Sequence, residues 1–278
     1  MTELGIDPWS RSRPNTGTDV PLAHAIGREV IQAGLADRAF IERAVSGFEE
    51  YRRLVEPWTP SLAEKVTGVP AAVVRELAQA YARGGDPGGP GRFPESAEHD
   101  RGSDGGRALE NLSLLTGRIG GDAPARTSAH FHLVRHSPPV DLTDERHPIR
   151  LTTGRRLDAN NTRLQTGRSA RPIQRGECVE LSPEDAEHYG VVVGEEVRIS
   201  SRRGSMTAPV WVDPALRPGL AFMSLRLAED ADSGSGSDVG LNRLTFKAGC
   251  PIAGVAEFEA TAIRVEKLPV VAATRPAS

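Results

Sequence analysis

The chain has 278 residues, enough for one large or two ordinary domains with real cores. A formal net charge of −3 and a pI near 6.2 exclude wholesale affinity for nucleic acid or a membrane surface, so any anion site must be local. Two cysteines are too few for an iron–sulfur cluster, which takes about four thiolates at short spacing, and the 29 Gly and 21 Pro predict abundant loops. Residues 1–15 are polar with no apolar stretch, and no apolar run approaches a membrane span, so a cytoplasmic protein is expected.

In chain order, residues 1–120 read as a mostly helical, abridged α/β segment. Thr18 is placed to cap a helix over 19–33, with Leu22, Ile26 and Val30 on one face and Gly34 as its stop. Thr59-Pro60 opens a second helix with Leu62 and Val66 inward and Gly68 closing it. Residues 70–82 form a third, with Val73, Val74, Leu77 and Tyr81 on one side, and 107–116 a fourth, ending at Gly117. The continuous apolar strands of a parallel sheet are missing between them. Residues 84–106 read as a linker, since eight Gly and three Pro leave too little apolar surface to order a segment. Residues 121–147 read as an irregular connector.

From residue 148 the texture turns to β. Strands are expected over 178–181, 220–225 and 258–265, and a hairpin turns at Arg203-Gly204 into 205–212. Ser182-Pro183-Glu184-Asp185 starts a short helix ended by Gly190. Many short strands with glycine turns and one small helix imply a closed barrel or sandwich over 148–268, followed by a tail at 269–278.

The segment Leu151–Ser169 carries the most chemistry. A short apolar entry runs into Thr152-Thr153-Gly154-Arg155 and then a loop of hydroxyls, amides and guanidiniums. Between Arg150 and Arg175 stand seven arginines and one acid, Asp158. Such an island suits a multi-phosphate anion, because Arg donates in a planar fork and Gly lets the backbone approach. The plain alternative is an Arg-rich surface loop.

This segment resembles the start of the molybdopterin-dinucleotide-binding domain of the molybdopterin oxidoreductases, formate dehydrogenases and assimilatory nitrate reductases above all. Thr152, Thr153, Gly154, Arg155, Asn161, Thr166, Arg168 and Ser169 match the family pattern, while Ala159, Arg163 and Leu164 depart from it. Gly17-Thr18-Asp19 is similar to the family's Gly-Thr-Asp turn, whose Asp meets a guanine edge. Asn242-x-Leu244-Thr245 and Glu257-Phe258 match positions that face the cofactor, although Glu259 stands where the family usually has Lys. The resemblance implies an α+β protein with a C-terminal six-stranded double-psi β-barrel. The implied ligand is molybdopterin guanine dinucleotide carrying Mo or W, bound by Thr18, Asp19, Asn242, Glu257, Phe258 and the eight residues above.

The family's cluster-binding Cys-x-x-Cys run and the segment with its metal-ligating Cys or selenocysteine are missing, so no catalytic residue and no metal ligand is assigned. Cofactor-holding parts without redox parts imply a truncated or split subunit, with a larger iron–sulfur chain as partner. The alternatives are a remnant without a specific ligand and a non-catalytic barrel module for protein partners. His130, His132 and His136 lie on an extended segment at spacings that do not converge on one ion. Cys178 reads as a core residue and Cys250 as a loop residue. Walker, nucleophile-elbow and dinucleotide glycine motifs are absent.

Overall fold

The computed structural model describes residues 14–83, 102–118, 129–154, 178–224, 241–245 and 260–269. Two compact units divide the chain, with the change from one to the other between Pro139 and Val140.

The first unit is helical. Its central helix α1, Asp19–Gln32, buries not only Leu22, Ile26 and Val30 but also Ala23, His24, Ala25 and Gly27. The burial is this broad because later helices pack around it: α3, Phe48–Val55; α4, Pro60–Thr67; α5, Ala71–Ala82; and α6, Gly102–Leu115. Between α1 and α3 lies a short helix α2, Arg38–Ala44, capped by Asp37, whose carboxylate accepts from the Phe40 amide at 2.9 Å. Neither α2 nor α3 was anticipated above. The signal for α3 was present in Phe48, Tyr51 and Val55, which recur at helical spacing and are all buried. Its opposite face holds Glu49 and Glu50, paired with Arg52 and Arg53 one turn on.

Two helical expectations need correction. Leu62 is 38% exposed, and α4 instead buries Pro60, Ala63 and Thr67. The apolar pattern picked the larger side chain, but the cap at Thr59 and the left-handed Gly68 set the helix phase. Helix α6 starts at Gly102, inside the stretch expected to be linker. Asp104 lies in its first turn, favoured by the helix dipole, and meets Arg107 at 3.4 Å, while Gly105 is buried. That packing offsets the roughly 1 kcal/mol that each helical glycine costs.

An extended segment completes this unit. Ala129–His130, strand β2, pairs in parallel with Val45–Ser46, strand β1. Phe131 is fully buried and stacks on Tyr51, ring centroids 4.8 Å apart. The buried Asn111 side chain holds the same segment from both sides. Its amide donates to the His132 carbonyl, and its oxygen accepts from the His132 amide, both at 2.8 Å.

Tight packing at Gly27 makes a first prediction. A Cβ there would lie 2.3 Å from the Tyr51 hydroxyl, and Tyr51 is fully enclosed. Gly27→Ala should therefore destabilise the helical unit by about 1–3 kcal/mol through overpacking. An unchanged urea midpoint would show that α1 and α3 can separate at no cost.

The second unit is a closed six-stranded barrel in the order β3-β7-β4-β6-β5-β8. Its strands are β3, Ile149–Gly154; β4, Val179–Leu181; β5, Glu196–Ser201; β6, Ser205–Val212; β7, Leu220–Ser224; and β8, Thr261–Lys267. The pairs β3–β7 and β4–β6 are parallel and the other four antiparallel. Period-two alternation sends Ile149, Leu151, Val197, Ile199, Ala208, Val210, Ala221 and Met223 inward. Cys178 is buried, as expected. Helix α7, Pro183–Tyr189, starts where Ser182 Oγ accepts from the Asp185 amide at 3.0 Å and ends at left-handed Gly190. The α+β class and the closed six-stranded barrel agree with expectation. Residues 155–177 and 225–240, which follow β3 and β7 in the chain, lie outside the described residues.

The final strand departs from its predicted bounds. It spans Thr261–Lys267 rather than 258–265, because β5 pairs with it as far as Lys267. Lys267 is held there by the Gly190 carbonyl and Glu195, each at 2.9 Å.

Candidate functional site

Strand β3 carries the start of the Thr-Thr-Gly motif, and its pleat separates the two threonines. Thr153 is 2% exposed and faces the barrel interior with Leu151, whereas Thr152 and Gly154 are half-buried on the outer face. The parallel register with β7 sets Thr152 beside Phe222 and Gly154 beside Ser224. Gly154 is tight, since a Cβ there would come 3.1 Å from the Phe222 ring. Both strands end at this level, so Gly154 and Ser224 flank the point from which the chain continues into Arg155-Arg156. The Ser224 hydroxyl is shielded from solvent and has no hydrogen-bond partner among the described residues. Leaving a buried hydroxyl unpaired costs about 1–3 kcal/mol, so it needs an explanation.

The first arginine of the basic island has a structural task. Arg150 donates to the backbone carbonyls of Asp141 at 2.9 Å and Ala260 at 3.4 Å. Of the seven arginines, the remaining six lie outside the described residues. Asp141 itself is buried under the barrel wall. Its carboxylate pairs with Arg202 and Arg203 and accepts from the Ala262 amide at 3.2 Å. Arg202 also reaches Asp144 at 2.8 Å. The His147 amide, first, and the Arg202 guanidinium hold the Asp144 carboxyl down at about 2. The same pairing with Asp144 raises Arg202.

The other proposed contacts are distributed as follows. Thr18 is buried and Asp19 half-buried at the start of α1, in the helical unit. The expected cap does not form. With φ −116° and ψ 21°, Thr18 is not in the extended conformation that aims a cap hydroxyl at the helix amides, and its Oγ1 donates to the Asn15 carbonyl at 2.6 Å. Asn242 lies in a short 3-10 helix, Leu241–Arg243, whose Leu241 joins the barrel core. Arg155, Asn161, Thr166, Arg168, Ser169, Glu257 and Phe258 lie outside the described residues. Ser224 was not among the residues singled out above. Alternation in β7 puts it on the face of Phe222, but its position beside Gly154 depends on a parallel register that no local pattern encodes.

The three histidines point to different neighbours. His130 Nδ1 meets Ser46 Oγ at 3.0 Å, His132 Nε2 meets Glu110 at 3.1 Å, and His136 packs edge-on against Trp58. Among the described residues no group of three or more His, Cys, Asp or Glu is placed to hold a metal ion. None of their helices is long and apolar enough to cross a membrane.

Residues 149–262 match the family described as the Molydopterin (molybdopterin) dinucleotide binding domain. That range opens on β3 and ends within β8. Residues 149–262 are therefore a molybdopterin dinucleotide-binding domain.

Among curated relatives, the F420-dependent formate dehydrogenase 2 subunit alpha of Methanococcus maripaludis is 34% identical over 141 residues, 50% of this chain and 19% of that protein. Formate dehydrogenase H of Escherichia coli is 36% identical over 109 residues, 37% of this chain and 14% of that protein. The chain thus spans less than a fifth of the length of either relative. Acetylene hydratase from Pelobacter acetylenicus has a similar fold, with a TM-score of 0.63 at 10% identity over 92% of this chain and 71% of that one.

Proposed function

We propose that this chain holds the guanine dinucleotide part of a molybdopterin cofactor on the outer β3–β7 face of its barrel, and that it is a truncated or split formate dehydrogenase-type subunit. The observation that carries the reading is the coincidence of the matched domain with β3. The outer face of that strand ends in a glycine beside a shielded hydroxyl that has no partner among the described residues, next in sequence to an arginine-rich run.

The donor set fits such a group. A hydroxyl, a close-approach backbone and guanidiniums are what phosphate oxygens take. Thr152 and Gly154 would line the site. Arg155, Asn161, Thr166, Arg168 and Ser169 would follow from the loop, with Asp19, Thr18, Asn242, Glu257 and Phe258 as further contacts. Thr153 serves the barrel interior with its side chain. When bound, the group supplies a redox-active molybdenum or tungsten centre, and the protein's part is to bind and orient it. The cluster and metal-ligating residues missing from this sequence would come from a larger iron–sulfur chain. The Methanococcus relative is itself named as a subunit, which supports a multi-chain arrangement. Cytoplasmic residence belongs to the same proposal.

The test is expression of the full chain with the cofactor-assembly machinery, followed by assay of acid-oxidised pterin fluorescence, released guanine nucleotide and bound metal. All three should co-purify with the protein, and Arg155→Ala should lower their occupancy. Protein free of pterin and metal, with a melting temperature indifferent to guanine dinucleotide, would overturn the reading. Capture of a larger Cys-rich chain would establish the split-subunit form.

A further inference from the structure

Strand β7 stands between β3 and β4, and the two hold it unequally. Five residue pairs join it to β3, from Arg150–Leu220 to Gly154–Ser224, but only Val179–Met223 and Glu180–Phe222 join it to β4. Beyond those pairs β4 gives way to helix α7, and a side chain of that helix continues the attachment. The Asp185 carboxylate accepts from the Gly219 amide at 2.8 Å, immediately before β7 begins. The same oxygen accepts from the Ser182 hydroxyl at 2.8 Å, and Ser182 Oγ accepts from the Asp185 amide at 3.0 Å. Ser182 is fully buried, so the carboxylate is aimed from a fixed point.

Gly219 passes this anchor on to β3. Its carbonyl accepts from the Arg150 amide at 2.9 Å, the bond that opens the β3–β7 pairing. An extended residue points its N–H and C=O to the same side of a strand. Gly219 turns its N–H to α7 and its carbonyl to β3, and its left-handed backbone, φ 79°, makes that possible. A Cβ there would meet nothing within 4 Å, so conformation and not space calls for glycine. The register held this way decides which side chains β3 presents, since a slip of one residue would turn Thr153 outward and Thr152 inward. We propose that Asp185 is a positioning residue for dinucleotide binding: through Gly219, its carboxylate locks the β3–β7 register that sets Thr152 and Gly154 on the outer face. The proposal rests on the dinucleotide-holding function above and names the group that sets its geometry.

The test uses the full chain, with GDP as the probe in isothermal titration calorimetry and hydrogen exchange read on peptides spanning Arg150 and Gly219. Asp185→Ala should weaken GDP binding about tenfold, the worth of one hydrogen bond to a charged group, and speed exchange at both amides. Asp185→Asn still offers Gly219 an oxygen but no charge, so it should fall between parent and Ala variant on both readings. It carries the test if the Ala variant does not fold. Val197→Ala, in the barrel core on β5, separates positioning from stability: it should melt at a lower temperature yet bind GDP like the parent. Parent-like GDP affinity in the Asp185 variants would overturn the proposal and leave the dinucleotide function in place. So would an equal loss of affinity in Val197→Ala, or weaker binding with exchange at Arg150 unchanged. If the parent binds no GDP, the function itself falls and this role with it.

Discussion

Replacing Asp141 by alanine should destabilise the barrel by about 3 kcal/mol and speed hydrogen exchange at the Ala262 amide. The side chain is 5% exposed and ties three elements together: the lead-in to β3, the β5–β6 hairpin through Arg202 and Arg203, and the start of β8 through the Ala262 N–H. Breaking a buried charge pair costs about 3–5 kcal/mol, because the surviving partner keeps its desolvation cost without its attraction. The low end applies here, since Arg202 is 35% exposed and retains Asp144. Asp141→Asn separates charge from hydrogen bonding. It can still accept from Ala262, so it should lose about half as much. An unchanged urea midpoint in Asp141→Ala would mean the lead-in is not anchored to the barrel this way.

Acidification should weaken the helical unit through His24. This imidazole is fully buried, and its Nε2 lies 2.9 Å from the Val134 carbonyl, where the neutral ring donates. Burial pulls its pKa from 6.5 down to about 4, the Val134 carbonyl opposes this, and His136 adds to the fall. The groups around it are the Tyr51 ring edge-on, Trp58 and His136. Tyr51 stays protonated, since burial raises its phenol.

The sign follows from proton counting. Between pH 4 and 6.5 the unfolded chain carries a proton on His24 that the folded one refuses, so stability rises with pH in that window. It is complete above about 6.5 and falls as the pH drops towards 4. At about 1.36 kcal/mol per pH unit, the loss is about 3 kcal/mol. Exchange protection of α1 amides at pH 7 and pH 4 measures it. His24→Gln keeps a donor for Val134 but cannot titrate, so it should remove this part of the pH dependence. If parent and variant lose protection equally, His24 is not responsible.

Much of this architecture was legible in the residues. Ser182-Pro183 and Gly190 bound α7 because capping chemistry is local. Val73, Val74, Leu77 and Tyr81 marked the buried face of α5 because the helical period is local too. The Thr-Thr-Gly-Arg run pointed to a dinucleotide-binding barrel, and the match over residues 149–262 agrees. Where apolar signals were weak or misleading, reading by period fell short: α2 has one buried residue, Ile41, and α4 turns Leu62 outward.

The sequence by itself determined four helices of the first unit, the short helix α7, the β character of residues 148–268 and the presence of an anion-seeking run after Gly154. Only the tertiary structure decided which of those residues meet. Closure of β3 on β7 sent Thr153 inward and Thr152 outward, and set Gly154 against Ser224, 70 positions later in the chain. It also brought Arg150 to the backbone carbonyls of Asp141 and Ala260. The reason is physical: caps and periodicity act within a few residues, whereas strand register is fixed by distant partners, and a shift of one residue reverses every side chain.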